Sequence, residues 1–126
     1  MNDKLPNIIL QYKRALNRFE KAMSEKETEY VRDSAIKRFE FTFELMWKLL
    51  KVYLEDMGKT VYSPRESIRE AFQMGLISED ESWIRMLETR NATAHIYSEK
   101  MAKGVYLDLP KYIPLFNEVL KRISSD

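Results

Sequence analysis

The stretch from Tyr30 to Met57 constrains the fold most, because it runs for many helical turns without glycine or proline. Its apolar residues recur every three or four positions, the spacing of one helix face. This main stripe consists of Ala35, Phe39, Phe43, Met46, Leu50 and Tyr53. Gly58 follows, where a left-handed glycine ends a helix well. The pattern predicts one long, largely buried helix.

The same helix carries a second set of apolar side chains, which makes it apolar nearly all round. These are Phe41, Leu45, Trp47, Leu49, Val52 and Leu54. A surface helix needs only one stripe. The extra face must therefore be covered by a central position in the bundle, by a second subunit or by a partner protein. We predict Phe41, Leu45 and Trp47 as interface residues.

Helical spacing also predicts a first helix over about residues 6–24. Its stripe consists of Ile9, Tyr12, Leu16, Phe19 and Met23. A third helix begins at Ser63, with Pro64 as its first residue and Glu66 completing a capping box. Gly75 is expected to end this helix. Its predicted inner face consists of Ile68, Ala71 and Phe72.

Ser78 and Glu81 form a second predicted capping box, which opens a fourth helix. Trp83, Ile84 and Leu87 are predicted to face the core from it. A last helical stretch starts near Ser98, and Pro110 predicts a kink or restart within it. The stripe of this stretch consists of Ala102, Val105, Leu109, Tyr112, Phe116, Val119 and Ile123.

No segment alternates polar and apolar residues with period two, so we predict an all-α fold. The expected architecture is an antiparallel four- to five-helix up-and-down bundle with short connections. The length of 126 residues suits one domain, which we place at residues 1–126.

Composition excludes several classes of function. The chain has 21 basic and 20 acidic residues, which argues against a general polyanion binder. It has no cysteine, so disulfides and thiolate metal sites are excluded, which suits the cytosol. No signal peptide or membrane span is visible, and we expect a cytoplasmic protein without membrane contact.

We also expect no cofactor and no metal. There is no glycine-rich phosphate loop, the element that commonly binds nucleotide phosphates. The acidic run Glu79, Asp80 and Glu81 could suggest a cation site. Its position at a predicted helix start is better explained by capping and by the helix dipole.

The candidate chemistry lies between Arg90 and Tyr97. His95 is the only histidine in the chain, and histidine is the residue type whose unperturbed pKa lies near neutrality. Arg90 offers a planar fork suited to phosphate. In a helix, Asn91 would lie beside His95, one turn on. Arg90 and His95 would be about 140° apart around a straight helix. They could still converge on one phosphate or on a site built from two subunits.

Taken alone, this spacing is a weak signal. A lone histidine near a helix end is more often a capping or packing group than a catalyst. An arginine a few residues upstream also arises readily by chance. The residues by themselves therefore leave both a catalytic and a structural interpretation open.

Beyond the motif, most of residues 6–123 resembles a known family. The pattern of Arg90, the polar Asn91, three further residues and His95 resembles the signature of the HEPN superfamily. Tyr97 extends this pattern to the HepT-like form. The stretch 39–51 is similar to the long second helix of the nucleotidyltransferase substrate-binding proteins. Residues 63–72 are similar to their third helix, and residues 83–97 to their motif helix.

The resemblance implies a homodimeric helical bundle that binds a minimal nucleotidyltransferase encoded by a neighbouring gene. Some HEPN members are metal-independent ribonucleases whose motifs face a shared cleft between two subunits. In such a toxin, Arg90 would hold the RNA phosphate, and His95 would act as general acid or base. Asn91 would position His95 or the RNA. AMP addition to Tyr97 by the transferase would silence the toxin.

Two alternatives stay beside the ribonuclease hypothesis. The chain could be a non-catalytic subunit that recruits the nucleotidyltransferase or presents its substrate, as the near-neutral charge and the apolar second helix suggest. It could also be a purely structural bundle that dimerises through that helix.

Overall fold

The computed structural model describes residues 4–78 and 80–124, which form six α-helices and one 3₁₀ turn and contain no strand. The all-α prediction is confirmed. In chain order the helices are α1 (Leu5–Ser24), α2 (Glu29–Asp56), α3 (Pro64–Gln73), α4 (Glu81–Thr93), α5 (Glu99–Asp108) and α6 (Ile113–Ser124). The 3₁₀ turn Leu109–Tyr112 joins α5 to α6. It provides the restart predicted at Pro110.

Helix α2 lies at the centre of the bundle and contacts each of the other five α-helices. Its Phe39 is fully buried within a group of aromatic rings from α1, α2, the 3₁₀ turn and α6. The centroid of the Phe39 ring lies 5.7–6.3 Å from those of Phe19, Phe43, Tyr112 and Phe116. Aromatic pairs at these distances add to the free energy gained from burial alone.

Two glycines end helices as predicted. Gly58, with a φ of 85°, follows α2, and the N–H of Lys59 donates to the carbonyl of Leu54. Gly75, with a φ of 75°, follows α3 in the same arrangement. Only glycine adopts this left-handed conformation without steric cost, so both positions set where the chain turns.

Helix starts follow the predicted signals at Ser63 and Ser98, whose hydroxyls accept backbone N–H groups of α3 and α5. The predicted capping box of Ser78 with Glu81 is wrong. Asp80 caps α4 instead, with its carboxylate accepting from the Ser82 N–H at 2.8 Å. Ser78 binds the carboxylate of Glu118 on α6, so a tertiary contact takes it away from the helix end.

The central position of α2 accounts for much of its second apolar face, because Leu49, Val52 and Leu54 are buried within the subunit. Phe41 remains 48% exposed, with the Lys37 ammonium over its ring. Leu45 and Trp47 are half-buried against the core.

Two residues predicted to face the core do not. Phe72 on α3 is 39% exposed and Ile84 on α4 is 45% exposed. Both lie on the open side of the short α3–α4 pair, where helical spacing indicates a face but no further element of residues 4–78 and 80–124 covers it. Within the described part of the chain, no helix combines the length and apolar character that crossing a bilayer requires.

We expect Tyr12→Phe to destabilise the fold, because the Tyr12 hydroxyl donates to the Phe116 carbonyl at 2.6 Å and joins α1 to α6 in the core. Loss of one such bond costs about 1 kcal/mol. Urea unfolding should show this loss, while Tyr62→Phe, at an exposed tyrosine, should leave the midpoint unchanged.

Tyr12 is also expected to limit the stability of the fold at alkaline pH. Burial, then the nearby Glu20 carboxylate, raises the pKa of Tyr12 well above 10.0. The unfolded chain therefore releases this proton first, and stability falls as pH rises through about 10. Tyr12→Phe should lose less stability over that range than the natural protein. If stability fell equally steeply with pH in both proteins, Tyr12 would not be the group that limits stability at alkaline pH.

Candidate active site

Arg90 lies in the last turn of α4 and is tied to α2 by an ion pair. Its Nε and Nη2 donate to the same oxygen of Glu44, at 3.2 and 2.8 Å. Both side chains are about one-third exposed. Two of the five N–H donors of the guanidinium are used in this way, which leaves three for a phosphate. The pair fixes the cation while keeping part of it accessible.

Glu44 is a site residue that sequence reasoning missed. Its second carboxylate oxygen accepts the Trp47 indole N–H at 3.2 Å, so the carboxylate is held from two sides. The available signal was an acid within an apolar helix, three residues before a tryptophan. The arginine partner lies 46 residues away in sequence, and no local pattern indicates it.

His95 lies outside the helix, because α4 ends at Thr93 and the His95 N–H donates to the Ala92 carbonyl. Its ring Nδ1 lies 3.0 Å from the Tyr97 hydroxyl. Both residues are exposed, Tyr97 by 79%. The helical relation that would have set Asn91 beside His95 does not hold. Asn91 stays exposed on α4, and Tyr97 is the hydrogen-bond partner of the ring.

The structure therefore divides the predicted site between a rigid part and a loop. Arg90 and Asn91 belong to α4, while His95 and Tyr97 lie in the connection to α5. Among the described residues, no hydrogen bond or ion pair joins Arg90 to His95. The chain presents a fixed cation and an accessible imidazole that no recorded polar contact joins.

Arg32 on α2 holds the far end of this loop. It is buried, and its guanidinium pairs with Glu27 at 2.8 Å and with Glu99, the first residue of α5, at 3.0 Å. Ile96 packs against the core between the two motif side chains. Arg32 thus fixes where α5 begins and so limits the positions open to His95 and Tyr97.

A second contact orients α4 next to Arg90. The Thr89 hydroxyl shares a hydrogen bond of 2.7 Å with the Tyr112 hydroxyl of the 3₁₀ turn. Burial raises the pKa of Tyr112, so this hydroxyl keeps its proton through neutral pH. Among the described residues, no cluster of three histidine or carboxylate side chains has the geometry to hold a metal ion.

Comparison with known proteins places these features in a family. Residues 8–125 match the model of the family described as "Nucleotidyltransferase substrate binding protein like". The chain is 33% identical to the "Probable ribonuclease HepT" of Haemophilus influenzae over 86 residues, which cover 63% of this chain and 58% of that relative. The match thus spans less than two-thirds of the relative's length.

Two solved structures share the fold. A Thermus thermophilus protein of known crystal structure has a TM-score of 0.81 and 36% identity, covering 88% of this chain and 97% of that one. A tri-AMPylated Shewanella oneidensis HEPN toxin, solved in complex with an MNT antitoxin, has a TM-score of 0.77 and 21% identity, covering 100% of both chains.

The chain is an all-helical bundle with an arginine at a helix end and a histidine and tyrosine just beyond it, and it shares its fold with the HEPN toxin. The chain belongs to the nucleotidyltransferase substrate binding protein like family. The resemblance to nucleotidyltransferase substrate-binding proteins that the sequence indicated is confirmed.

We expect Arg32→Met to loosen the loop while preserving the apolar stem of the side chain. The two carboxylate partners are half-exposed and remain solvated, so the loss in stability should be about 1–2 kcal/mol. Hydrogen exchange should accelerate most at residues 94–98. Arg18→Met, on the exposed face of α1, is the matched control. Unchanged exchange in the loop would contradict this role of Arg32.

Proposed function

We propose that this chain is a HEPN metal-independent ribonuclease toxin, paired with a minimal nucleotidyltransferase that silences it. The observation that carries the proposal is the exposed His95 ring, whose Nδ1 is hydrogen-bonded to Tyr97. The ring lies just beyond the end of α4, where the ion pair with Glu44 fixes Arg90. The HepT relative and the HEPN toxin solved with an MNT antitoxin support the same combination of activity and partner.

In the proposed tautomer the Nδ1–H of His95 donates to the Tyr97 oxygen, which leaves Nε2 as the unprotonated nitrogen for proton transfer. As general base it takes the proton of a ribose 2′-hydroxyl, whose oxygen attacks the adjacent phosphorus. The bond from phosphorus to the 5′-oxygen breaks, giving a 2′,3′-cyclic phosphate, and the leaving oxygen takes a proton. Arg90 stabilises the charge that develops on the phosphate oxygens, and Asn91 positions the RNA.

This reaction needs one group to accept a proton and another to donate one. The chain has a single histidine, so we propose a homodimer in which the motifs of two copies face one RNA strand. One His95 then acts as base while the other protonates the leaving oxygen. Phe41, Leu45 and Trp47 are the proposed interface residues, since Phe41 is exposed and the other two are half-buried.

Tyr97 is the proposed site of AMP addition. Its hydroxyl oxygen would attack the α-phosphate of ATP, pyrophosphate would leave, and the tyrosine proton would pass to a base of the transferase. The modified oxygen is a poorer acceptor for the His95 Nδ1–H, and an anionic phosphodiester then lies beside the ring. Both changes act directly on the catalytic imidazole, and the added nucleotide blocks the approach of RNA.

We expect His95→Ala and Arg90→Ala each to lower RNA cleavage at least a hundredfold, the usual contribution of acid–base and phosphate-stabilising groups. Arg85→Ala is the matched control, because Arg85 lies on α4 and its one ion pair within the described ranges is with Glu81 on its own helix. Cleavage should continue in EDTA and should release cyclic phosphate ends. Full activity of His95→Ala would exclude His95 as the catalyst.

Co-expression with the neighbouring transferase should add the mass of one or more AMP units to this chain and relieve growth arrest. We expect Tyr97→Phe to remove the modification at this site. Tyr62→Phe, at a similarly exposed tyrosine, should keep it. Peptide mapping identifies the modified residue, and AMP found only on another tyrosine would contradict the assignment.

A second candidate function is a non-catalytic subunit that recruits the transferase. The observation that favours it is the ion pair of Arg90 with Glu44, which gives the motif arginine a structural role within the subunit. In that case His95→Ala should still co-purify with the transferase, and neither the natural protein nor the variant should cleave RNA. In either function we place the protein in the cytoplasm, with its transferase.

A further inference from the structure

A mainly apolar groove lies between α3 and α4, away from the hydrogen-bonded pair His95 and Tyr97. Its volume is ≈ 270 Å³. Its apolar lining comes from Ile68, Phe72, Ile77, Trp83, Ile84 and Leu87. The two side chains wrongly predicted to be buried, Phe72 and Ile84, are thus the exposed walls of this groove. Their exposure leaves apolar surface available to a ligand.

The polar groups at the groove indicate the chemistry of that ligand. Trp83 is only 2% exposed, and its buried indole N–H has no hydrogen-bond partner among the described residues. Arg65 and Arg69 lie four residues apart on the exposed face of α3 and also line the groove. Neither forms an ion pair within residues 4–78 and 80–124. The apolar lining and the two arginines together call for a ligand with an apolar or aromatic body and negative charge.

The groove shares a helix face with the candidate active site. Ile84, Leu87 and Asn91 follow one another at the spacing of a single face of α4. Ile84 and Asn91 are separated by about 10 Å along the helix axis. Arg90 lies about 100° around α4 from Asn91 and pairs with Glu44 on α2, so a strand held at Arg90 reaches the groove by passing over Asn91.

We infer that this groove binds a base and its adjoining phosphates of single-stranded RNA, next to the nucleotides that are cleaved. The inference rests on the proposed ribonuclease function and names the substrate form it acts on. The base would pack between Phe72 and Ile84, and Arg65 and Arg69 would contact the phosphates. Exposed aromatic rings combined with arginines are the usual means of holding unpaired RNA.

Asp80, at the α4 end of the groove, adds a further recognition group. Hydrogen bonds from the backbone and then the side chain of Ser82 lower the pKa of Asp80, so its carboxylate is ionised at neutral pH. It is an acceptor suited to the exocyclic amino group of a base. A base bound with its phosphates towards Arg65 and Arg69 keeps its negative charge away from Asp80.

The test measures binding of a fluorescein-labelled single-stranded oligoribonucleotide to the His95→Ala protein, which removes cleavage from the measurement. We expect Arg65→Ala/Arg69→Ala to weaken binding about tenfold and Phe72→Ala to weaken it by a similar factor. The salt dependence of log affinity should fall by about 0.7 for each phosphate that the variant no longer binds. Arg14→Ala/Arg18→Ala is the matched control, another exposed arginine pair four residues apart.

In the active protein, the groove variants should raise KM for the long RNA while leaving cleavage of a dinucleotide unchanged. Binding equal to that of the control pair would overturn the inference. Loss of transferase binding without loss of RNA binding would also overturn it and would make the groove a protein-docking surface. Groove-dependent RNA binding by a protein that never cleaves RNA would support the inference and reject the ribonuclease function.

Discussion

The structure depends on one constraint, the burial of a long helix that is apolar nearly all round. Such a helix cannot lie on a surface, so α2 takes the centre and the other five α-helices pack around it. The same helix supplies the two polar side chains that organise the candidate site. Arg32 reaches the start of α5, and Glu44 reaches Arg90 at the end of α4. The helix that forms the core therefore also positions the residues of the candidate site.

The end of α4 at Thr93 has a functional consequence. Arg90 is held on a rigid element by a carboxylate from the core helix, which is a favourable way to preorganise a cation. His95 and Tyr97 lie in a short connection anchored at its far end by Arg32. The proposed AMP addition requires access to Tyr97, and the proposed ribonuclease activity requires an accessible imidazole. An exposed connection between two fixed ends meets both requirements.

Local sequence signals predicted the local features well. The left-handed glycines, the cap at Ser63 and the restart at Pro110 depend on conformational preferences of single residues, and these are readable without tertiary information. The motif residues were also proposed from the sequence, through a family resemblance that covers most of the chain, and their roles stay predictions. Predicting these features required no knowledge of which helices pack against one another.

The predictions that were wrong share a different cause, because they depend on contacts between residues distant in sequence. Ser78 was predicted to cap α4, but a carboxylate 40 residues away binds it. Phe72 and Ile84 occupy the apolar faces of short helices, and spacing does not reveal that no element covers those faces. The pairs Arg90 with Glu44 and Arg32 with Glu99 join residues 46 and 67 positions apart. Such contacts follow from helix packing rather than from any local pattern.

The central claim is that the Tyr97 hydroxyl binds His95, so that a change at Tyr97 acts directly on the imidazole. The chain has one histidine, so the ¹⁵N resonances of a histidine-labelled sample belong to His95 alone. The account predicts that the Nδ1 resonance shifts in Tyr97→Phe and in the AMP-modified protein but not in Tyr62→Phe. An Nδ1 resonance that is identical in all four proteins would contradict the account.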